Sequence, residues 1–325
     1  MHYRSLIPGE HLITLLGMIG DMRPVPRRIL HHTKCLETLP YYFDNVFVEF
    51  NHEKIINKLK FPLLQLADRN GRKDNFFLVD DQLFMNYDTD RPEFEAAEWI
   101  NFYQDMGVKA FFLLMNRPDF TERFSKLGLK VPLFTLPSSI SHSVPYYLFD
   151  QGGHAKSAMT PKDISVFFCG KYKHQFEHRK IWADKIKEEI PNSMILDTVS
   201  EGLSPVDLLN NMSRAKIIWC PGSVTSGDYP NQYTISPRDI EAMALEAMVI
   251  RTPISVIEDN PRQPGIHYVE VAPDNSDLLE KINYYLEHEE ERLMIAQNGY
   301  HYYELNCTPF ARGMNVLMKC ISTFA

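Results

Sequence analysis

Positive charge is in short supply in this sequence. Lys and Arg number 34 against 42 Asp and Glu, a formal net charge of −8, and the isoelectric point lies near 5.8. Such a chain carries no whole-molecule field that would collect nucleic acid or an anionic membrane. An anionic ligand has to be held by a local group of Arg, Lys and backbone N–H. Long apolar runs are also missing. Stretches such as Ala110–Met115 fall far short of the roughly 20 residues that a membrane span needs. Near the N-terminus the apolar patch Leu12–Ile19 is interrupted by Gly17 and no small-residue cleavage site follows, so no signal peptide is expected. The five cysteines, Cys35, Cys169, Cys220, Cys307 and Cys320, are odd in number and form no C-x-x-C. That pattern indicates neither a zinc ribbon nor a disulfide framework and fits a reducing compartment. There is no internal repeat and no low-complexity tract. The expectation is a soluble cytoplasmic protein with no membrane span and no nucleic-acid partner.

What is present is an alternation of strand-like and helix-like segments. With 325 residues, 44% of them hydrophobic, the chain has room for two domains of about 150 residues each. Strands are expected at Asn45–Phe50, Phe76–Val79, Val108–Met115 and Val131–Leu136, and helices at Pro92–Ile100 and Asp119–Leu127. Pro26–Leu39 and Glu53–Leu64 are amphipathic. Pro137–Lys162, rich in Ser, Gly, Pro and His, breaks the pattern and marks a connection between domains. The expected domains are 1–150 and 151–325, the last helix packing back on the first.

In the second half, strands are expected at Ile164–Cys169, Met194–Leu196, Lys216–Cys220, Thr252–Val256 and His267–Val271. Helices are expected at Glu177–Ile190, Pro205–Met212, Arg238–Met248, Ser276–Leu286 and Glu289–Tyr303, with Phe310–Ser322 closing the chain. The fold class that follows is α/β, as two doubly wound Rossmann-like domains facing a cleft. In such sheets the ligand sits beyond the carboxyl ends of the strands.

The chemistry concentrates around Ile235-Ser236-Pro237-Arg238-Asp239-Ile240-Glu241. Ser236 is a good N-cap, Pro237 suits the first helical position and Arg238 falls in the first turn. A helix start carrying a hydroxyl, free N–H groups and a guanidinium suits a diphosphate. The other reading is an ordinary capped helix with solvated charges. Glu241 and Glu246 are candidates to accept hydrogen bonds from ribose hydroxyls. Elsewhere, His174, Glu177 and His178 fit H-x-x-E-H, a zinc-hydrolase pattern. Asp88-Thr89-Asp90 is a D-x-D triplet. His142, in the connection, is a candidate for acceptor binding. Asp80 and Asp81 follow the strand Phe76–Val79, where a polar turn opens at a carboxyl end.

Glu246-Ala247-Met248-Val249-Ile250-Arg251-Thr252-Pro253-Ile254 resembles the E-A-M-x-x-G-T-P-V segment of nucleotide-sugar glycosyltransferases with the GT-B fold. The wider pattern is similar to the CAP10-like group, family 90 with its lipopolysaccharide-modifying and protein O-glucosylating members. Ile164–Gly170 followed by Arg179, Ser236-Pro237-Arg238, His267-Tyr268-Val269-Glu270-Val271, Ser276-Asp277-Leu278 and Ile295-Ala296-Gln297-Asn298-Gly299 occur in the order found there. Two departures stand out. Arg251 replaces the usual Gly before Thr-Pro, and Arg238 stands where the E-x7-E pattern has its first Glu.

The resemblance implies an inverting transferase that moves a sugar from a nucleoside-diphosphate sugar, UDP-sugar favoured, to a hydroxyl acceptor such as a glycan. Gly170, Lys171, Arg179, Ser236, Arg238, Glu241 and Glu246 would form the donor site. Either Asp80 or Asp81 would be the general base. No cofactor and no metal are expected, and a bacterial or viral cytoplasmic enzyme is the natural setting. A nucleotide-sugar-binding protein without catalysis is the alternative.

Overall fold

The computed structural model describes residues 47–49, 62–67, 74–80, 100–101, 104, 108–113, 120–135, 160–171, 177–198, 202–224, 233–234, 237–254, 260–307, 311 and 319. The chain divides into two units. One comprises Met1–Ser139, Val256–Asp259 and Pro309–Ala325, the other Ile140–Ser255 and Asn260–Thr308.

The first unit holds a five-stranded sheet in the order β1-β2-β3-β4-β5. Its strands are β1 (Phe47–Glu49), β2 (Pro62–Ala67), β3 (Asp74–Asp80), β4 (Val108–Leu113) and β5 (Leu133–Thr135). β3, β4 and β5 run parallel, and helix α1 (Phe120–Lys126) connects β4 to β5. The other edge departs from a fully parallel sheet, because β1 and β2 pair antiparallel and so do β2 and β3. The expected amphipathic stretch ending at Leu64 gives way there to a strand. Leu63-Leu64-Gln65-Leu66-Ala67 lies against Asp74–Leu78 of β3, and only six residues separate the strands, as an antiparallel connection allows. Asp80 is the last residue of β3, opposite Leu113.

The second unit is the doubly wound one. Its sheet is wholly parallel in the order β12-β11-β8-β6-β7. The strands are β6 (Ile164–Gly170), β7 (Met194–Asp197), β8 (Ala215–Cys220), β11 (Met248–Arg251) and β12 (Val269–Glu270). A short pair, β9 (Ser223–Val224) and β10 (Tyr233–Thr234), follows β8. Helices α2 (Glu177–Glu189), α3 (Pro205–Ser213), α4 (Pro237–Ala244), α5 (Leu278–Glu287) and α6 (Glu289–Tyr302) complete it, and α6 ends in a π-helical turn at Tyr303–Cys307.

Strands buried on both faces need apolar residues at consecutive positions, and β8 has them. Its Ile217 and Trp219 join one core with Val166, Ala183 and Ile186. Ile218 and Cys220 join the other with Leu209, Ile240 and Met243. Helix α2 therefore covers one face and α3 and α4 the opposite one, which is double winding. The Phe168 and Trp219 rings, 4.9 Å apart across β6 and β8, add an aromatic pair worth about 0.5–1.5 kcal/mol beyond area burial. Ser204 caps α3 by accepting the Asp207 N–H at 3.1 Å, with Pro205 at the first helical position, as the S-P pattern predicts.

One expected helix is too long. α4 stops at Ala244 rather than reaching Met248, and the strand expected at Thr252–Val256 lies earlier, at Met248–Arg251. The helix ends in a paired-carbonyl cap: Glu246 N–H donates to Met243 O at 3.1 Å and Ala247 N–H to Ala242 O at 3.0 Å. Glu246 takes the left-handed conformation this cap requires, φ 53°, where glycine is the usual residue. Met248-Val249-Ile250-Arg251, buried throughout, then pairs with Ile217–Cys220.

Candidate functional site

Chain order reverses at β6. From β6 the chain crosses to β7 on one side, then returns past β6 to β8 on the other. The crevice beyond the carboxyl ends of β6 and β8 is thus the topological switch point, where open α/β sheets bind their ligands. A pocket of about 110 Å³ opens there. Its wall is made by the ends of β6 and β8, including Gly170, Cys169, Trp219 and Cys220, with Arg179 from α2 and Arg238 from α4.

Three of the sequence-predicted residues meet at this pocket. Gly170 ends β6, and a side chain there is obstructed: an added Cβ would lie 2.8 Å from Phe168 Cζ. Arg179, 8% exposed, donates from Nη1 to Lys171 O at 3.2 Å and from Nη2 to Gly222 O at 3.0 Å. Burial lowers its pKa to about 10, which still leaves it cationic at neutral pH. Arg238 projects from the first turn of α4, and its Nη1 pairs with Glu241 Oε2 one turn on. Glu241 is 3% exposed while the Arg238 side chain keeps 30% exposure, so the carboxylate is fixed inside and the guanidinium rests at the pocket wall. Lys171, next to β6 and exposed, joins the site through its carbonyl.

Glu246 is placed elsewhere. Its turn leads into β11 at the amino edge of the sheet, where Lys162, two residues ahead of β6, donates to Leu245 O at 2.8 Å. Burial pushes the Lys162 ammonium down to about 8, partly offset by the Glu246 carboxylate. Glu246 is therefore an amino-edge residue and the pocket a carboxyl-edge one. The sequence holds E-A-M twice, at Glu241-Ala242-Met243 and Glu246-Ala247-Met248. The structure puts the first on α4, the helix that carries Arg238, and the second at the turn into β11.

Sequence reasoning passed over the residues that fasten the pocket's loops. Arg251 and Asp239 form an ion pair at 2.8 Å with both side chains 1% exposed. Thr252 Oγ1 accepts the Gly222 N–H at 3.2 Å. The available signal was Arg251 itself, a charged residue in place of glycine at the end of a buried strand. Ser236, Asp81, His142 and His174 lie outside the described residues, as do the side chains of Asp80, Glu177 and His178. Among the described residues no group of three or more His, Cys, Asp or Glu is arranged to hold a metal ion.

Such a pocket can do one kind of work well. Two guanidinium groups fixed at a switch point, one of them desolvated, are suited to an anion of diphosphate type and to charge that grows on it.

Residues 172–317 match the family model described as glycosyl transferase-like. The glycosyl transferase-like segment includes α2, α4, Arg179, Arg238 and Glu241. Solved structures to which this chain is similar include HepE of Anabaena in complex with UDP and glucose, 13% identical, covering 76% of this chain and 71% of that one at a TM-score of 0.44. Sucrose-phosphate synthase from Thermosynechococcus elongatus is 12% identical and covers 76% and 68% at 0.46. A glycosyltransferase from Rickettsia africae ESF-5 is 12% identical and covers 74% and 84% at 0.37. No curated protein matches in sequence. Among the described residues no helix is long and apolar enough to cross a membrane.

Proposed function

We propose that this protein is a GT-B glycosyltransferase that moves a sugar from a nucleoside-diphosphate sugar to a hydroxyl acceptor, a glycan, with inversion. The observation that carries the reading is the convergence of Arg179 and Arg238, both inside the glycosyl transferase-like segment, on one switch-point pocket. The order of the segments from Ile164 to Gly299 supports the CAP10-like group as the nearer kin.

In the reaction, the acceptor oxygen attacks the anomeric carbon while the bond from that carbon to the diphosphate oxygen breaks. The electron pair leaves with the diphosphate, whose added charge Arg179 and Arg238 stabilise. The acceptor proton passes to a carboxylate, for which Asp80 and Asp81 are the candidates, or to His142. Glu241, held by Arg238 through one oxygen, keeps the other for a ribose hydroxyl. Because arginines supply the positive charge, no metal is needed, and activity is expected to survive EDTA.

Calorimetric titration with UDP and uridine tests the site. Arg238→Ala should weaken UDP binding by roughly 2–4 kcal/mol, the worth of a partly desolvated charge-assisted contact. Uridine affinity should change much less. Equal losses for the two ligands would remove Arg238 from the phosphate site.

A further inference from the structure

The two pocket arginines sit on different helices, α2 and α4, yet one polar chain joins them. Asp239 follows Arg238 in the first turn of α4 and accepts from Arg251 Nη1 at 2.8 Å. Arg251 Nε donates to Thr252 O at 2.9 Å. The Thr252 hydroxyl accepts from Gly222 N–H at 3.2 Å, and Gly222 O accepts from Arg179 Nη2 at 3.0 Å. From Arg179 the chain continues to Lys171 O. The ends of β6, β8 and β11 and the first turn of α4 are thereby tied by consecutive hydrogen bonds, every linking side chain at most 8% exposed.

From this arrangement we infer that Arg251, with Asp239 and Thr252, is a positioning residue for phosphate recognition: it sets the distance between the Arg238 and Arg179 guanidinium groups. The inference rests on the glycosyltransferase reading of the pocket. A glycine before Thr252 has no side chain with which to reach Asp239. In this chain the arginine spans the gap beneath α4 and restrains that helix start through a charge pair instead. A diphosphate touching both guanidinium groups is sensitive to their separation, whereas a nucleoside is not.

Removing one partner of a buried ion pair destabilises strongly, while replacing both by apolar residues of similar volume is often tolerated. The test therefore uses the double variant Arg251→Met/Asp239→Leu, and Thr252→Val, which removes only the hydroxyl link to Gly222. Thermal melting and titration with UDP and uridine are measured for wild type and both variants. Each variant is expected to melt close to wild type and bind uridine as wild type does. UDP binding should fall roughly tenfold in the double variant and by a smaller factor in Thr252→Val, as for groups that act through their neighbours. If both fold and bind UDP with wild-type affinity, the pair is only structural and the inference is overturned. If UDP and uridine affinity fall together, the chain supports the whole pocket rather than phosphate spacing, and the inference is equally overturned. Failure of wild-type protein to bind any nucleoside diphosphate would instead overturn the underlying reading of the pocket.

Discussion

Arg238 and Arg179 face the same pocket but are held by opposite means. Arg238 is fastened by a carboxylate, Glu241, and Arg179 by two backbone carbonyls. Carbonyls orient a guanidinium without cancelling its charge, and Arg238 is the more exposed of the two contacts. Away from the pocket, Lys162 offers a separate residue-scale test. Its folded pKa of about 8 lies below the ordinary 10.5. Between these values the unfolded chain binds a proton that the folded one does not, so stability should rise with pH across this window. Below about pH 8 the cost of burying the ammonium is fully present. In Lys162→Met that rise should vanish. Melting temperatures of both proteins from pH 7.5 to pH 10.5 check it, and parallel curves would contradict the assignment.

At the scale of elements, α4 determines the site, and its ends were unequally legible in the sequence. The start was readable because Pro237 and Arg238 have local physical reasons to be there. The end was not, because its signal is a left-handed residue and Glu246 occupies that place instead of glycine. A second E-A-M across the turn made the helix look one turn longer. β6, β7 and β8 were legible as continuous apolar runs, while β11 was hidden at the end of the over-long helix and β2 was masked by the amphipathic stretch before it.

Glu246→Gly should leave UDP affinity within about twofold of wild type, since an amino-edge residue lies outside the contacts that carry binding energy. A tenfold loss would return Glu246 to the donor site. Helix α6 crosses α4 at Gly299, where an added Cβ would lie 3.0 Å from His267 O and 3.3 Å from Met243 Cγ. Gly299→Ala should therefore destabilise by about 1–3 kcal/mol, the usual cost of overpacking, as read from chemical denaturation.

On the scale of the whole molecule, the proposed transfer needs a proton acceptor as well as a phosphate grip. Asp80 closes β3 at the carboxyl end of the parallel part of the first sheet, and Asp81 follows it. Replacing the true base by Asn should cut turnover about 10²–10⁴-fold, with UDP affinity unchanged because the carboxylate acts on the acceptor. Normal turnover in both Asn variants at saturating substrates would move the base elsewhere, with His142 next. The pocket was legible in outline, since strand–helix alternation alone places a ligand beyond the strand ends. Its fastening was not, because the Asp239–Arg251 pair joins residues whose contact exists only after β11 lies beside β8.

Whether the carboxyl ends of β6 and β8 hold the donor diphosphate is tested most directly by a crystal structure of the protein with UDP. The diphosphate is expected in the pocket, within hydrogen-bond distance of the Arg238 and Arg179 guanidinium groups. UDP bound in the second unit with its diphosphate away from both arginines would contradict this expectation.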